Sequence, residues 1–214
     1  MAKTFCCKIF VVIVGLALFS GSLVFAVPTI ENGDFSTPGL SGWTVEYGTV
    51  TDGGGYALFE EDSFELSSTL SQEFTIPALA LELSFDVELS AVPGGDDFGF
   101  PPDAFTASLL DPVTFDPLIS NPGYTDYYFV DNQGLVETVA TVTGNTVSLD
   151  VSGLRGLDAL LSFDLWGGDD GMLTSVSVDN VNVSVIPTPG ALLLAGIGTG
   201  LVGFLRRTRI GKIV

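Results

Sequence analysis

The chain has 214 residues, two cysteines, no histidine and a formal net charge of −19 at pH 7. The lack of histidine excludes serine–histidine–aspartate catalysis and zinc sites that need a histidine ligand. All 26 acidic residues lie between Glu31 and Asp179, where Arg155 is the single basic residue, so this central part has a formal charge of −25. Such a surface is expected to repel nucleic acid.

The first 26 residues have the pattern of a secretory signal peptide. Lys3 and Lys8 supply positive charge, residues 9–19 are apolar, and residues 24–26 (Val-Phe-Ala) form a small-residue cleavage site. Both cysteines of the chain lie within this segment. We therefore expect a mature protein that begins at Val27 and has neither a disulfide nor a cysteine metal site.

Residues 27–186 have the length of one domain, and their apolar pattern predicts β-strands only. A period of two indicates a half-buried strand. This period is clearest over residues 79–92 and again over residues 174–185. In the first of these, the residues expected to point together into the core are Leu79, Leu81, Leu83, Phe85, Val87 and Leu89.

Shorter strands are predicted between glycine, proline and aspartate turns. Residues 136–142 and 146–151 should form a pair joined at Gly144-Asn145. The remaining predicted strands cover residues 56–59, 66–76, 105–110, 127–130 and 159–166. Many short strands without a helical pattern favour an all-β fold, a jelly-roll β-sandwich.

Two motifs at the ends of the domain resemble one group of folds. Asn32-Gly33-Asp34-Phe35, followed by Gly42-Trp43, resembles the opening of carbohydrate-binding-module-like and galactose-binding-like jelly rolls. The closing segment 174–185 (TSVSVDNVNVSV) resembles the last strand of the same folds. The resemblance implies that the first strand begins at this opening, that Trp43 packs into the sandwich, and that the first and last strands are neighbours.

Calcium is the cofactor that the acidic composition favours, because it is a hard cation that binds oxygen ligands. The resemblance implies a structural calcium ion held by Glu31 or Asp34 together with Asp179. Two Gly-Gly-Asp-Asp loops offer further candidates, although a plain acidic turn is the simpler interpretation of them. These loops contribute Asp96, Asp97, Asp169 and Asp170.

Sugar binding would need exposed aromatic side chains, which stack on the faces of sugar rings. Tyr127 and Tyr128 are adjacent, so in a strand they point to opposite faces, and at most one serves a given platform. For every candidate, packing inside the fold is the alternative. The candidates are Tyr47, Tyr56, Tyr124, Tyr127, Tyr128 and Trp166. Carboxylate-pair hydrolysis stays open as an enzymatic alternative, but no particular pair stands out.

The last part of the chain, residues 187–214, has three sections in a fixed order. The breaker Pro187-Thr188-Pro189 comes first, an uncharged apolar run follows to residue 205, and basic residues occupy 206–214. Residues of about 189–205 would form a helix of about 25 Å, which can span a membrane with local thinning. The basic anchor, expected on the cytoplasmic side of the inner membrane, is Arg206, Arg207 and Arg209.

This order of sections resembles the PEP-CTERM sorting signal, with Thr188 where the family has glutamate. The resemblance implies processing by an exosortase-type membrane enzyme and delivery to the cell surface or an exopolysaccharide matrix. The sequence thus predicts a non-enzymatic exported protein, membrane-anchored through its C-terminus until it is processed, with a structural or adhesive role. The alternative function is that of a calcium-dependent carbohydrate-binding module.

Overall fold

The computed structural model describes residues 29–61, 67–90, 103–122, 126–132, 135–167 and 174–186. The predicted signal peptide and sorting tail lie outside these ranges. The described part is almost entirely β, with one short 3-10 helix at Ser152–Leu154, and none of its helices is long and apolar enough to cross a membrane. Its strands are β1 (Thr44–Tyr47), β2 (Thr49–Asp52), β3 (Ala57–Glu60), β4 (Ser67–Thr75), β5 (Ala80–Ser90), β6 (Ala104–Leu110), β7 (Pro117–Ile119), β8 (Phe129–Asn132), β9 (Leu135–Thr138), β10 (Thr141–Thr143), β11 (Thr146–Asp150), β12 (Asp158–Trp166) and β13 (Ser175–Val185).

The strands form two antiparallel sheets. Sheet A has the order β1-β4-β12-β6-β8-β9, with β7 paired to β6 beside this path. Sheet B has the order β10-β11-β5-β13-β3-β2. The two sheets enclose one hydrophobic core, so the predicted all-β sandwich is confirmed.

Aromatic rings fill the middle of this core. Phe163 of β12 points inward, and its ring centroid lies 4.9 Å from that of Phe85, 5.9 Å from that of Trp43 and 6.0 Å from that of Phe105. Contacts of this kind stabilise a fold by about 0.5–1.5 kcal/mol each beyond the burial of their area. The prediction that Trp43 packs into the sandwich is confirmed.

The opening of the domain differs from the prediction. Residues 29–42 form turns and bends rather than a strand, and the first strand begins only at Thr44. Two residues of the opening, Asn32 and Phe35, have φ angles of 49° and 43°. These left-handed angles do not occur in a strand. The opening segment contacts the last strand, as the resemblance implies, through a hydrogen bond between Val181 and Gly33. It does so as a turn and not as a strand.

The single strand predicted at residues 136–142 is wrong. Residues of this segment lie in two strands, because the chain leaves sheet A after β9 and joins sheet B as β10. The side chain of Thr138 donates a hydrogen bond to the carbonyl of Tyr128, and the amide of Val139 donates to the same oxygen. The expected pairing of β10 with β11 around Gly144-Asn145 is confirmed.

The alternation predicted along β5 also fails at its beginning. Leu83 and Phe85 are buried, but Leu79 and Leu81 are 40% and 41% exposed. Against β13, Glu82 pairs with Ser184 while Ala80 pairs with Val185, so Leu81 is an extra residue in the ladder. A bulge of this type reverses the phase of the strand, and Ala80 therefore takes the inward position.

Candidate functional site

The opening turn fixes the first part of the domain to the last strand. The amide of Val181 donates a hydrogen bond of 2.8 Å to the carbonyl of Gly33. A Cβ atom on Gly33 would lie 2.0 Å from the carbonyl oxygen of Val181, so only glycine fits. The indole N–H of Trp43 donates to the carbonyl of Asn32 at 3.2 Å. Asn32, Gly33 and Trp43 of the opening motif therefore stabilise the opening turn and its contact with the last strand.

Of the three calcium ligands predicted at the opening turn and the last strand, Asp34 and Asp179 lie near each other. Partial burial raises the pKa of Asp179, and the charges of Asp86 and Asp34 raise it further. The carboxylate of Asp34 instead has a lowered pKa, because Ser36 donates to it from both its hydroxyl and its amide. The side chain of Glu31 lies beside Gly42.

Across the described ranges there is no group of three or more acidic side chains placed to hold a metal ion. The side-chain amide of Asn180 donates hydrogen bonds to the carboxylates of both Asp86 and Asp179. Calcium binding stays a prediction, and its other candidate ligands, Asp96, Asp97, Asp169 and Asp170, lie outside the described residues.

The outer face of sheet B has two open depressions, of about 470 and 520 Å³. Asp86 borders both, and it accepts a hydrogen bond from the hydroxyl of Thr146 at 2.5 Å. Of the described residues that line the depressions, Tyr56 is the one with an aromatic side chain. This face is acidic and offers little surface for stacking.

The outer face of sheet A has a floor of small hydroxyl side chains. They alternate with the core residues of β4, β6 and β12, so they lie on the face turned away from the core. Ser162 pairs with Ser71 on one side and with Ser108 on the other, which makes a row across three strands. All members of this hydroxyl floor are buried; they are Thr69, Ser71, Thr106, Ser108 and Ser162.

Asp164 lies in the next row of the same face, between Thr69 and Thr106. Its carboxylate accepts hydrogen bonds from the hydroxyl of Thr69 at 2.6 Å and from that of Ser162 at 3.1 Å. Burial raises the pKa of Asp164; these two hydrogen bonds lower it in part, and the charge of Glu46 raises it again. The site thus holds a carboxylate in a sparsely hydrated place.

Thr106 adds an unused polar group to this floor. Its side chain is 3% exposed, and its hydroxyl oxygen has no hydrogen-bond partner within the protein. A buried hydroxyl without a partner costs about 1–3 kcal/mol. A buried water molecule bonded to this hydroxyl would recover that cost.

Two exposed aromatic side chains flank the hydroxyl floor. Trp166 is 46% exposed and lies two residues beyond Asp164 on the same face of β12. Tyr47 is 60% exposed and pairs with Thr69 at the edge of the sheet. From the usual strand spacing and rise, the Cα atoms of Tyr47 and Trp166 are about 12 Å apart. This distance suits a short oligosaccharide lying across the strands.

Local backbone features place Tyr47 on this face. Tyr47 pairs with Thr69 and Val45 pairs with Leu70, so Glu46 is an extra residue in β1. The carboxylate of Glu46 accepts a hydrogen bond of 2.7 Å from the hydroxyl of Ser71, which draws Glu46 over the floor.

Gly48 ends the same strand. It has a φ of 63°, and a Cβ atom there would lie 2.4 Å from the carbonyl oxygen of Ser67. A residue with a side chain would therefore displace the end of β1 and, with it, Tyr47.

The two adjacent tyrosines of the candidate list have opposite roles. Tyr128 is fully buried in the core, and this burial raises its pKa. Tyr127 is half-buried, and its pKa is raised by burial and by the charges of Asp164 and Asp126, which places its hydroxyl near the floor. Burial in the core removes Tyr128 from the stacking candidates, and Tyr124 lies outside the described residues.

Comparison with known proteins gives structural similarities only. No protein-family model and no curated protein sequence matches the chain. The enzymatically active domain of tailspike protein 4 from bacteriophage CBA120 matches at 15% identity and a TM-score of 0.42, over 75% of this chain but 22% of that chain. The carbohydrate-binding module TmCBM61, solved with β-1,4-galactotriose, matches at 15% identity and 0.42, over 75% of this chain and 100% of that chain.

A third solved structure, the mannan-recognising module TmCBM27, matches at 12% identity and a TM-score of 0.34. It covers 75% of this chain and 95% of that chain. At these identities and TM-scores we transfer no functional residue from these proteins.

Proposed function

We propose that the domain is a non-catalytic carbohydrate-binding module that holds a glycan against the outer face of sheet A. The observation that carries the proposal is the pair Trp166 and Tyr47, both exposed, at two adjacent borders of the hydroxyl floor. Aromatic rings take the apolar faces of sugar rings, and carboxylates and hydroxyls bind their hydroxyl groups. Among the described residues that line the depressions on sheet B, Tyr56 is the one aromatic residue and its neighbours are acidic, which suits a glycan less well.

The carboxylates of the site favour binding over hydrolysis. Retaining and inverting glycosidases need two carboxyl groups free to reach the glycosidic bond and a water molecule. Here Asp164 accepts hydrogen bonds from Thr69 and Ser162, and Glu46 accepts one from Ser71. Both groups are thus held by the sheet, so the proposal expects no turnover.

The same proposal includes the export and sorting that the terminal segments indicate. Residues 1–26 act as a signal peptide, and residues 187–214 act as a PEP-CTERM-like sorting tail read by an exosortase-type enzyme. The domain is a jelly roll that reaches the cell surface or the exopolysaccharide matrix, so an exopolysaccharide is its natural ligand. The support for these steps is the order of the sequence motifs.

Calorimetry with the full-length protein in detergent tests the binding proposal. We expect saturable binding to at least one of a soluble β-glucan, a β-galactan and a β-mannan. Trp166→Ala and Tyr47→Ala should each weaken it by about tenfold or more, as loss of an aromatic anchor does. Tyr56→Ala, on sheet B, is the control and should bind like the wild type.

Three results would count against the proposal. Binding that Tyr56→Ala weakens as much as Trp166→Ala would move the site to sheet B. Release of reducing sugar, abolished by Asp164→Asn, would make the domain an enzyme. The absence of binding to every neutral polysaccharide and to the exopolysaccharide of the producing organism would remove the glycan function.

A further inference from the structure

We propose that the sheet A platform is selective for uncharged glycans, and that Asp164 and Glu46 exclude sugars that carry carboxylate or sulfate groups. This inference rests on the proposed function, because it names the ligand class of the same site. It would assign the domain to neutral polysaccharides, even in a matrix where acidic ones are also present.

The charges around the platform all have one sign. Asp164 lies in its floor, and Glu46 reaches over it from β1. The one basic residue in the described part of the chain, Arg155, donates instead to the carbonyl of Ala80 at the start of β5 in sheet B. The further acidic residues on elements that border the platform are Glu73, Asp126, Glu137 and Asp158.

An acidic sugar therefore meets repulsion without a compensating cation. Recognition of a carboxylate or a sulfate needs arginine, lysine or several free backbone N–H groups. The floor strands β4, β12 and β6 have neighbours on both sides, so their N–H groups are used in the ladder. Like charges placed face to face lower affinity strongly, which is how many interfaces reject the wrong partner. Because Asp164 is partly buried, solvent screens its charge less than that of a fully exposed carboxylate.

A neutral sugar finds complementary groups at the same place. A carboxylate has about four acceptor positions. Thr69 and Ser162 use two of those of Asp164 in the sheet. Its remaining acceptor positions can take hydrogen bonds from sugar hydroxyls, because the side chain of Asp164 is only partly buried. The charge that rejects an acidic glycan thus also binds a neutral one.

The test compares three forms of each polysaccharide that binds. The neutral polymer, its C6-oxidised form and the methyl ester of that oxidised form are titrated into the full-length protein at 150 mM NaCl. The ester has the bulk of the oxidised sugar without its charge. We expect the oxidised form to bind at least about tenfold more weakly than the neutral form, and the ester to recover most of the affinity.

Charge-removing variants assign the selectivity to residues. The ratio of the neutral to the oxidised affinity should fall at least about threefold in Asp164→Asn and in Glu46→Gln. Glu88→Gln removes the same charge from the outer face of sheet B, so it is the matched control. Packed sheets lie about 10 Å apart, beyond the Debye length of about 8 Å at this salt, and the ratio should not change.

The outcomes separate this inference from the proposed function. Equal binding of neutral and oxidised polymers would overturn the selectivity and leave glycan binding intact. Weak binding of both the oxidised form and its ester would make the exclusion steric and overturn the role of charge. No binding of any neutral polymer would remove the proposed function and, with it, this inference.

Discussion

Gly33 is the residue at which the opening turn touches the last strand. Its carbonyl accepts the hydrogen bond from Val181, and no side chain fits between the two backbones. We expect Gly33→Ala to lower the free energy of unfolding by about 1–3 kcal/mol, the usual cost of forced overpacking. Chemical denaturation measures it, and Gly153→Ala, where a Cβ atom meets open space, is the control. Equal stability of Gly33→Ala and the wild type would contradict this account.

Asp164 should give the folding stability a measurable pH dependence. Burial raises its pKa above the ordinary value of 3.8, so the folded state holds the neutral acid better than the unfolded state does. The resulting stabilisation is complete below the unfolded pKa and is lost as the pH rises through the folded pKa. Relative to Asp164→Asn, the wild-type Tm should therefore fall as the pH rises from below the ordinary pKa of an aspartate to neutral pH. Thermal melts of both proteins at three pH values check this, and a constant difference in Tm would contradict it.

At the residue scale, the sequence predicted the aromatic candidates but not the floor between them. Trp166, Tyr47 and Tyr127 could be named because exposed aromatic residues have few other uses on a sheet. Asp164 and Thr106 looked like ordinary polar positions of an alternating strand. Their proximity depends on the pairing of β12 with β6, whose partners are far apart in the chain.

The crossover between β9 and β10 is the element whose position depends most on a side chain. The hydroxyl of Thr138 donates to the carbonyl of Tyr128 at 2.8 Å and accepts from the amide of Ala140 at 2.9 Å. In Thr138→Val both bonds are lost, at a cost of about 1–3 kcal/mol.

A chain of this size should then lose about 2–4 °C in Tm for each kcal/mol. Differential scanning calorimetry measures the change. Thr141→Val, an exposed position on β10, should stay within about 1 °C of the wild type. A Tm of Thr138→Val equal to that of Thr141→Val would show that backbone bonds alone fix the crossover.

Element boundaries were predicted well where a strand has regular alternation and a turn residue at its end. β4, β6 and β12 match the predicted segments to within about one residue, which is the usual tolerance of such limits. The failures at β5 and at β9–β10 have a common cause. A bulge or a change of sheet depends on the partner strand, and the apolar pattern of one strand does not contain that information.

At the scale of the whole molecule, the charge of the domain opposes its own folding. With 26 acidic residues and one basic residue between Glu31 and Asp179, self-repulsion destabilises the compact state. Sodium chloride should therefore raise the Tm of the protein as the repulsion is screened. This general effect is the background against which a specific effect of calcium has to be measured.

Calcium should raise the Tm beyond the effect of ionic strength if any of the predicted ligand sets binds it. A ligand at about 100 times its Kd stabilises the folded state by about 2.7 kcal/mol, which is about 5–10 °C for a protein of this size. The measurement compares melts in calcium, in magnesium and in sodium chloride of matched ionic strength, with EDTA as the baseline. Equal increases in Tm in all three salts would show that charge screening explains the whole effect, and would exclude a calcium site.

If the increase in Tm is specific to calcium, single substitutions identify the residues that bind the ion. Asp179→Asn should abolish it if the ion joins the opening turn to β13, while Asp169→Asn and Asp170→Asn should abolish it if the acidic loop binds the ion. The residues around Asp179 argue against the first arrangement, because the side-chain amide of Asn180 already occupies oxygen atoms of both Asp179 and Asp86. We therefore expect a calcium shift, where it occurs, to survive in Asp179→Asn. Its loss in that variant would show that calcium rearranges this end of the sandwich.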